Sequence, residues 1–209
     1  MGRSDHGPEV VTKVIVLNGA IGSGKDDCAV RLWGYLGSDR THVMSFKKPL
    51  FELVGMLYSL PPLVAEEIHS NRDLKDSPRA EYGGKTSREV IIEVSEKVIK
   101  PFYGNQFFGD KAVGGMKRET WVETFIFSDS GFEEELEPVS NYVGKENVIL
   151  CRIRNRGSFS NDSRSFLSDK HAGTVLDYDN SGSLEDLHKW VESVGDMILK
   201  ENELDATGC

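Results

Sequence analysis

Cysteine is scarce in this sequence, and the few cysteines form no recognisable pattern. The 209-residue chain has three of them, Cys28, Cys151 and Cys209, an odd number at wide spacing. It has no CxxC pair and no Cys/His spacing typical of a metal site. The sequence therefore predicts neither a disulfide framework nor a structural zinc site. The three residues are expected to be free thiols in a reducing compartment, the cytoplasm.

The sequence also lacks long apolar runs and any excess of positive charge. No stretch approaches the roughly 18 apolar residues of a membrane-spanning helix, and residues 1–11 lack the apolar stretch of a signal peptide. With 25 basic and 34 acidic residues, the net charge is −9. This balance disfavours binding to duplex nucleic acid through a broad basic surface. We expect no membrane partner, whereas a small basic pocket for a phosphorylated metabolite stays compatible with the charge.

Short β-branched runs alternate along the chain with segments of helical periodicity. Strands are predicted at 13–17, 42–46, 121–127, 147–153 and from 174, and helices at 26–36, 49–60, 87–98, 132–143 and 183–200. Residues 102–116 are predicted to be helical in part, and 71–86 to form a loop. This alternation predicts an α/β three-layer sandwich with a mostly parallel sheet, helices on both faces and ligands beyond the carboxyl ends of the strands. The length predicts a single domain, 1–209.

The strongest local motif is the glycine-rich loop (residues 19–27, GAIGSGKDD) between the first strand and the first helix. Gly19, Gly24 and Lys25 match the two glycines and the lysine of the P-loop pattern. Glycines let successive backbone N–H groups converge on a phosphate, and the lysine adds a point charge for the β- and γ-phosphates. The predicted ATP-binding residues of the loop are Gly19, Ala20, Gly22, Ser23, Gly24, Lys25, Asp26 and Asp27.

The loop departs from the P-loop pattern where a hydroxyl normally contacts Mg²⁺. Asp26 stands in place of the Ser or Thr, and Asp27 follows it. A carboxylate binds Mg²⁺ directly or through water, although it also adds negative charge beside the phosphates. Asp129 ends a predicted strand, where a carboxylate could hold the same ion, or it forms a turn within Ser-Asp-Ser-Gly. Asp26, Asp27 and Asp129 are the candidate magnesium ligands.

Other candidates lie at the ends of predicted elements, and each has a plainer alternative. Arg88 begins a helix, and a guanidinium suits a phosphate; the alternative is a surface arginine. Lys47 follows a strand and either faces an acceptor phosphate or is solvated. Phe46 either stacks on a base or belongs to the core. Glu135 either contacts the acceptor or lies on a solvated helix face.

Several arginines surround the Ser/Asn-rich residues 154–172. A mobile lid of this kind brings arginines over a transferring phosphoryl group and excludes water. Arg156 and Arg164 lie inside this predicted lid and are candidate catalytic residues, with a surface ion pair as the alternative for either. Asn180 and Gly182 follow the last strand and are candidates to contact the donor nucleotide, in a sequence that also suits a turn.

These motifs together resemble the phage-type deoxynucleoside monophosphate kinases, within the P-loop nucleoside monophosphate kinase superfamily. The segments GSGKD (22–26), SFKKPL (45–50), TSRE (86–89), DSGFEEE (129–135) and NSGSL (180–184) occur in the order of that family's motifs, and the resemblance spans residues 13–195. The resemblance implies that residues 41–120 bind the acceptor, that Arg88 clamps its monophosphate, and that the 180–182 loop lies along the adenine.

The implied activity is transfer of the γ-phosphate of ATP, with Mg²⁺, to a deoxynucleoside monophosphate. Lys25, Arg88, Asp129, Arg156 and Arg164 would be the catalytic residues, in the host cytoplasm if the protein is phage-encoded. Its partners would be small nucleotides, and a homodimer is left open.

The sequence departs from the family pattern where phosphate or metal is handled. Gly131 stands in place of an arginine, Lys48 in place of an acidic residue, and Asp27 in place of a threonine. These departures motivate two alternatives. One is a P-loop kinase for a modified base in DNA or another small acceptor, and the other is a nucleotide-binding protein without turnover.

Overall fold

The structure is a computed structural model that describes residues 12–160 and 164–207. The strands are β1 (Lys13–Gly19), β2 (Thr41–Met44), β3 (Thr124–Ser130), β4 (Val148–Arg154) and β5 (Thr174–Asp179). They form one sheet in the order β2-β3-β1-β4-β5, and all neighbouring strands are parallel. The predicted α/β fold with a parallel sheet is thereby confirmed.

Nine α-helices and three helical segments of other types occur among the described residues. The α-helices are α1 (Lys25–Leu36), α2 (Lys48–Leu57), α3 (Pro62–Ser70), α4 (Arg72–Lys75), α5 (Ser87–Val94), α6 (Lys100–Tyr103), α7 (Phe107–Met116), α8 (Glu133–Val143) and α9 (Leu184–Thr207). Short 3-10 helices lie at Ala80–Tyr82 and Lys145–Asn147, and a π-helical turn, Ser95–Ile99, joins α5 to α6.

Helices cover both faces of the sheet because alternate residues of each central strand point to opposite sides. In β1, Val14 and Val16 pack into the core on the face of α2, α5, α7 and α8. Ile15 and Leu17 pack into a second core on the face of α1 and α9. Since β1 is buried along its whole length, the chain that follows it emerges at the centre of one sheet edge.

Two helices lie where the sequence predicts none. The Pro61-Pro62 pair is predicted to end a helix, yet Pro62 begins α3, because the first helical turn needs no N–H from proline. The predicted loop 71–86 is wrong in part: the Asn71 side chain accepts hydrogen bonds from the N–H groups of Asp73 and Leu74 and so caps α4.

The helix predicted at 87–98 continues as a π-helical turn and then as α6. Pro101 stands within this continuation, and a proline removes a hydrogen-bond donor from a helix interior. A widened π-type turn accommodates such an interruption. Pro138 likewise lies inside α8, so the helix predicted at 132–143 forms despite its proline.

The predictions on cysteine and membrane segments concern residues of which the structure describes only a part. Cys28 and Cys151 are buried and free, while Cys209 and residues 1–11 lie outside the described part. Within residues 12–160 and 164–207, no helix combines the length and the apolar character needed to cross a membrane.

Helices α7 and α8 approach each other closely at Gly109. A Cβ at this position would overlap the carbonyl oxygen of Glu135 and lie 2.9 Å from Cγ of Pro138. We expect Gly109→Ala to lower the free energy of unfolding by about 1–3 kcal/mol, because the neighbouring backbone has to shift. The measurement is chemical denaturation.

Gly114 in the same helix is the matched control. Its Cβ would have Arg118 Nη1 as nearest neighbour at 3.8 Å, an ordinary contact. Gly114→Ala is expected to be neutral or to stabilise by up to about 1 kcal/mol. Equal effects of the two substitutions would contradict the close packing inferred at Gly109.

Candidate functional site

The glycine-rich loop turns directly from β1 into α1. Gly22 and Gly24 have φ values of 81° and 92°, in the left-handed region that glycine adopts without strain. The Lys25 ammonium donates hydrogen bonds to the carbonyl oxygens of Gly19 at 2.7 Å and Ala20 at 2.8 Å. Lys25 is therefore buried against the backbone of its own loop, where the N-terminus of α1 adds further positive potential.

The segment between β4 and β5 (residues 155–173, called here the β4–β5 segment) begins against this loop. Ser158 pairs with Ile21 in an isolated antiparallel bridge. At Gly157, whose φ is 78°, a Cβ would overlap the Ile21 carbonyl group. The segment approaches the loop this closely because residue 157 is glycine.

The turn after β5 also contacts the loop. The fully buried Asn180 donates a hydrogen bond from Nδ2 to the carbonyl oxygen of Ser23 at 2.9 Å. Arg156 donates to the carbonyl oxygen of Gly182 at 3.0 Å. Three residues predicted for the donor nucleotide or the lid, Arg156, Asn180 and Gly182, thus lie around the glycine-rich loop.

The three predicted magnesium ligands do not assemble into one site. Among the described residues, no group of three or more His, Cys, Asp or Glu side chains could hold a metal ion. Asp26 is exposed in the first turn of α1. The Asp27 carboxylate lies 2.7 Å from Nε2 of His188, so it is turned toward α9.

Asp129 has a positioning role at the end of β3. Its carboxylate accepts hydrogen bonds from the Ser45 hydroxyl at 2.6 Å and from the backbone N–H groups of Phe46 and Lys47 at 2.9 and 3.0 Å. Both carboxylate oxygens therefore hold the turn between β2 and α2. Oδ2 accepts two of these hydrogen bonds and Oδ1 accepts one.

Asn18 joins β1 to two other parts of the site. Its side chain is fully buried and donates from Nδ2 to the carbonyl oxygens of Ser130 and Ser165 at 3.3 and 3.1 Å. Its Oδ1 accepts from the N–H of Leu167 at 2.9 Å. The second half of the β4–β5 segment is thereby fixed beside the ends of β1 and β3.

A cavity of about 410 Å³ lies beyond the ends of β2 and β3. Because β3 is the neighbour of β1, this cavity and the glycine-rich loop share one edge of the sheet. Five of the predicted site residues, from four separate parts of the chain, line it together: Phe46, Lys47, Arg88, Glu135 and Arg164. Lys48, by contrast, is exposed on the first turn of α2.

The cavity is rich in positive charge although the protein is acidic. Its cationic lining residues are Lys47, Lys75, Arg88, Lys100 and Arg164, and its acidic ones are Glu96 and Glu135. Lys100 pairs with Glu96 at 2.5 Å. This excess of cations favours an anionic ligand.

Arg88 is held at the start of α5 by a well-capped helix end. Thr86 and Glu89 form a capping box, and the following Ser87 hydroxyl lies 2.6 Å from Nδ1 of the buried His69. The Arg88 guanidinium pairs with both oxygens of Asp76, at 2.7 and 3.2 Å. A phosphate at this cavity would meet a guanidinium that is already oriented.

Gly131 and Arg164 occupy complementary space. A Cβ at Gly131 would lie 2.5–2.7 Å from Cβ, Cγ and Cδ of Arg164. The stem of Arg164 therefore fills the space next to residue 131. The guanidinium of Arg164 reaches the cavity wall from the β4–β5 segment.

Aromatic rings form the apolar part of the wall. Phe46 is buried and stacks on Phe127 at 4.4 Å between ring centroids, so one of its faces belongs to the core. Phe132 also lines the cavity, and the Lys100 ammonium lies 4.5 Å from the centroid of its ring. Phe46 is thus a core residue that also reaches the cavity wall, and its stacking on a base stays a prediction.

Glu135 is a buried carboxyl group at the cavity. The residue is only 6% exposed, and within the described part of the chain its carboxyl group makes no hydrogen bond or ion pair. Burial raises its pKa to about 8, and repulsion from Asp129 adds to the shift. Three cations, Lys47, Lys100 and Arg164, offset the increase only in part. At neutral pH the carboxyl group is protonated and able both to donate and to accept a hydrogen bond.

Four residues of this site are not among the sequence-predicted ones. Asn18 stands in an Asn-Gly pair that indicates only a turn, and Lys75 lies in the predicted loop 71–86. Lys100 follows a predicted helix without a motif of its own. Phe132 lies within the segment 129–135, whose resemblance to a family motif is the one signal that points to it.

The chain matches no protein-family model, and no curated protein is significantly similar to it in sequence. Its function is therefore argued from the residues and their geometry.

The buried state of Glu135 predicts a distinctive pH dependence of stability. The unfolded chain loses this proton near the usual pKa of 4.5, whereas the folded protein keeps it up to about pH 8. The folded state binds the extra proton, so the free energy of unfolding falls as pH rises through this window. Glu135→Gln removes this loss. Its unfolding temperature should rise relative to wild type between pH 5 and pH 8.5, by about 2–4 °C for each kcal/mol.

Glu134→Gln is the control, because Glu134 is the exposed neighbour in the same helix turn. Its unfolding temperature should keep a constant offset from wild type across the same pH range. A constant offset for Glu135→Gln as well would show that Glu135 is ionised in the folded protein.

Proposed function

We propose that this protein is a P-loop kinase that transfers the γ-phosphate of ATP to a deoxynucleoside monophosphate. The observation that carries the proposal is the convergence of Phe46, Lys47, Arg88, Glu135 and Arg164 on one cationic cavity at the sheet edge that also bears the glycine-rich loop. Phe46 and Lys47, Arg88 and Glu135 come from three motifs of the resemblance, and Arg164 comes from the predicted lid. Their meeting in space is an observation separate from the resemblance.

The donor nucleotide would bind at the glycine-rich loop. Its phosphates would replace the carbonyl oxygens of Gly19 and Ala20 as partners of Lys25, whose contacts with them are 2.7 and 2.8 Å. Loop N–H groups and the N-terminus of α1 would hold the phosphate oxygens. The turn at Asn180–Gly182, next to the loop, would lie along the adenine.

The β4–β5 segment would act as the lid. Its first half contacts the glycine-rich loop at Ile21, and its second half carries Arg164 to the cavity wall. One segment therefore touches both proposed nucleotide sites. Closure would place Arg156 and Arg164 near the transferring phosphoryl group, whose oxygens gain from nearby guanidinium charge.

The acceptor would bind in the cavity of about 410 Å³, within the range typical of small-molecule sites. Its phosphate would share the Arg88 guanidinium with Asp76 or displace that carboxylate. Its base would meet the aromatic wall, and protonated Glu135 would be the hydrogen-bonding group there. The transfer asks for positioning and charge neutralisation, since an acceptor phosphate oxygen is already anionic.

The carboxylates suit a magnesium ion that is held chiefly by phosphates and water. Mg²⁺ supplies charge neutralisation when bound with ATP, and it commonly keeps several water ligands. Asp26, exposed beside Lys25, is placed for such an outer contact. Asp129 would have one further acceptor site on Oδ1, since its oxygens already accept three hydrogen bonds. Asp27 faces His188.

The principal alternative is a nucleotide-binding protein without turnover. Asp26 at the position of the magnesium-binding hydroxyl favours it, because the carboxylate adds negative charge close to the phosphates. A kinase for a modified base in DNA is the second alternative, and a short single-stranded oligonucleotide would be its acceptor in an assay.

Release of ADP from Mg-ATP tests the proposal across the four deoxynucleoside monophosphates and their ribose counterparts. We expect turnover with at least one deoxynucleoside monophosphate. Lys25→Ala should reduce it by at least about 100-fold, since it removes the charge that follows the transferred phosphoryl group. Lys145→Ala, at an exposed lysine remote from the loop, is the control and should keep wild-type activity.

ATP binding without ADP release from any acceptor would overturn the kinase proposal in favour of the binding-only alternative. Release that depends on the oligonucleotide would move the acceptor to DNA.

A further inference from the structure

Among the cations of the cavity, Lys75 stands in a distinct environment. It is the last residue of α4 and lines the cavity. Its ammonium group lies 5.5 Å from the centroid of the Phe51 ring. Within the described part of the chain, the ammonium group makes no hydrogen bond or ion pair. Arg88 and Lys100, in contrast, have carboxylate partners in Asp76 and Glu96.

The charged groups around Lys75 come from several elements, and most are positive. Lys47 precedes α2, Arg88 begins α5 and Arg164 belongs to the β4–β5 segment. The carboxylate that opposes them is Asp76, and it already pairs with Arg88. The fold thus places an ammonium group among other cations at a cavity wall, which is unfavourable unless an anion enters.

We propose that Lys75 binds the terminal phosphate of the acceptor and selects for a dianionic phosphate over an uncharged or singly charged group. The inference rests on the proposed function only in taking the cavity as the acceptor site. It names a residue that no motif of the sequence indicates, and it defines the ligand class as a dianionic phosphomonoester.

The protonation of Lys75 gives this proposal a specific signature. Burial, together with the charges of Lys47, Arg88 and Arg164, lowers the pKa of Lys75 to about 8. Lys75 is therefore partly neutral above pH 8 when the cavity is empty. A bound dianion raises its pKa again, so binding takes up a proton. The affinity for the phosphomonoester should accordingly fall as pH rises above about 8.

Two other titratable groups near Lys75 affect how proton uptake is measured, His69 and Glu135. His69 of α3 has its pKa lowered to about 4 by burial and by the Lys75 charge, so it is neutral throughout this range. Glu135, with a pKa of about 8, would also take up a proton when an anion binds. The measurement is therefore made both in wild type and in Glu135→Gln.

The test is calorimetric titration of the four deoxynucleoside monophosphates, each compared with its deoxynucleoside, in the absence of ATP. We expect Lys75→Met to weaken binding of the best monophosphate by about 10- to 100-fold, the range for a lost charge-assisted hydrogen bond. Binding of the matching deoxynucleoside should not change. Lys75→Arg should stay within about threefold of wild type.

Proton uptake separates a binding role from a structural one. In buffers of different ionisation enthalpy at pH 8.5, Glu135→Gln should take up a proton on binding the monophosphate. The double variant with Lys75→Arg should take up none, because a guanidinium stays protonated. Lys111→Met is the matched control, since Lys111 also lies over an aromatic ring, that of Phe107 at 5.1 Å, but outside the cavity lining.

The inference is overturned if Lys75→Met leaves monophosphate affinity unchanged, if it weakens the deoxynucleoside equally, or if uptake persists in the Lys75→Arg background. Absence of monophosphate binding in wild type overturns it as well. Binding that depends on Lys75 without ADP release keeps this inference and removes the kinase proposal. ADP release that is unchanged by Lys75→Met keeps the kinase proposal and removes the proposed role of Lys75.

Discussion

The site depends on one buried amide. Asn18 is the penultimate residue of β1, and its side chain bonds to the end of β3 and to both Ser165 and Leu167 of the β4–β5 segment. A buried amide of this kind is stable only when its donors and acceptor are paired. The pairing fixes the segment that carries Arg164 relative to the central strand. The glycine-rich loop begins one residue after Asn18. The hydrogen bonds of the Asn18 side chain therefore also fix the position of the loop relative to the cavity wall.

Electrostatics then distinguishes the two halves of the sheet edge. The loop half gathers backbone N–H groups, a helix N-terminus and Lys25. The cavity half gathers five cationic side chains around two carboxyl groups, and one of these, Glu135, is protonated at neutral pH. In a protein of net charge −9, such a concentration costs stability unless anions compensate it. Both the glycine-rich loop and the cavity are thus suited to phosphates. For this reason we propose one nucleotide at the loop and one in the cavity.

The sequence was sufficient for the strands, the parallel sheet and most helices, because buried strands and amphipathic helices leave clear periodic patterns. It was insufficient where the same residue type is compatible with two local structures. Pro62 begins α3 although a proline pair also suits a helix end, and Asn71 caps a helix although it also suits a loop. At the site, Arg88 and Lys47 were recognisable from motifs. Lys75, Lys100 and Asn18 were not, since their importance arises from neighbours that are distant in the chain.

The close contact between Gly131 and Arg164 has a consequence for substitution. The two positions share one volume, with the Arg164 stem 2.5–2.7 Å from where a side chain at 131 would begin. A side chain at 131 therefore fits only if the side chain of residue 164 is shortened or moves away, so the two positions constrain each other. An arginine at the end of a strand would keep its guanidinium at the cavity whether or not a ligand is bound. Arg164 lies instead on the β4–β5 segment, which also contacts the glycine-rich loop. The positive charge at the cavity therefore depends on the position of that segment.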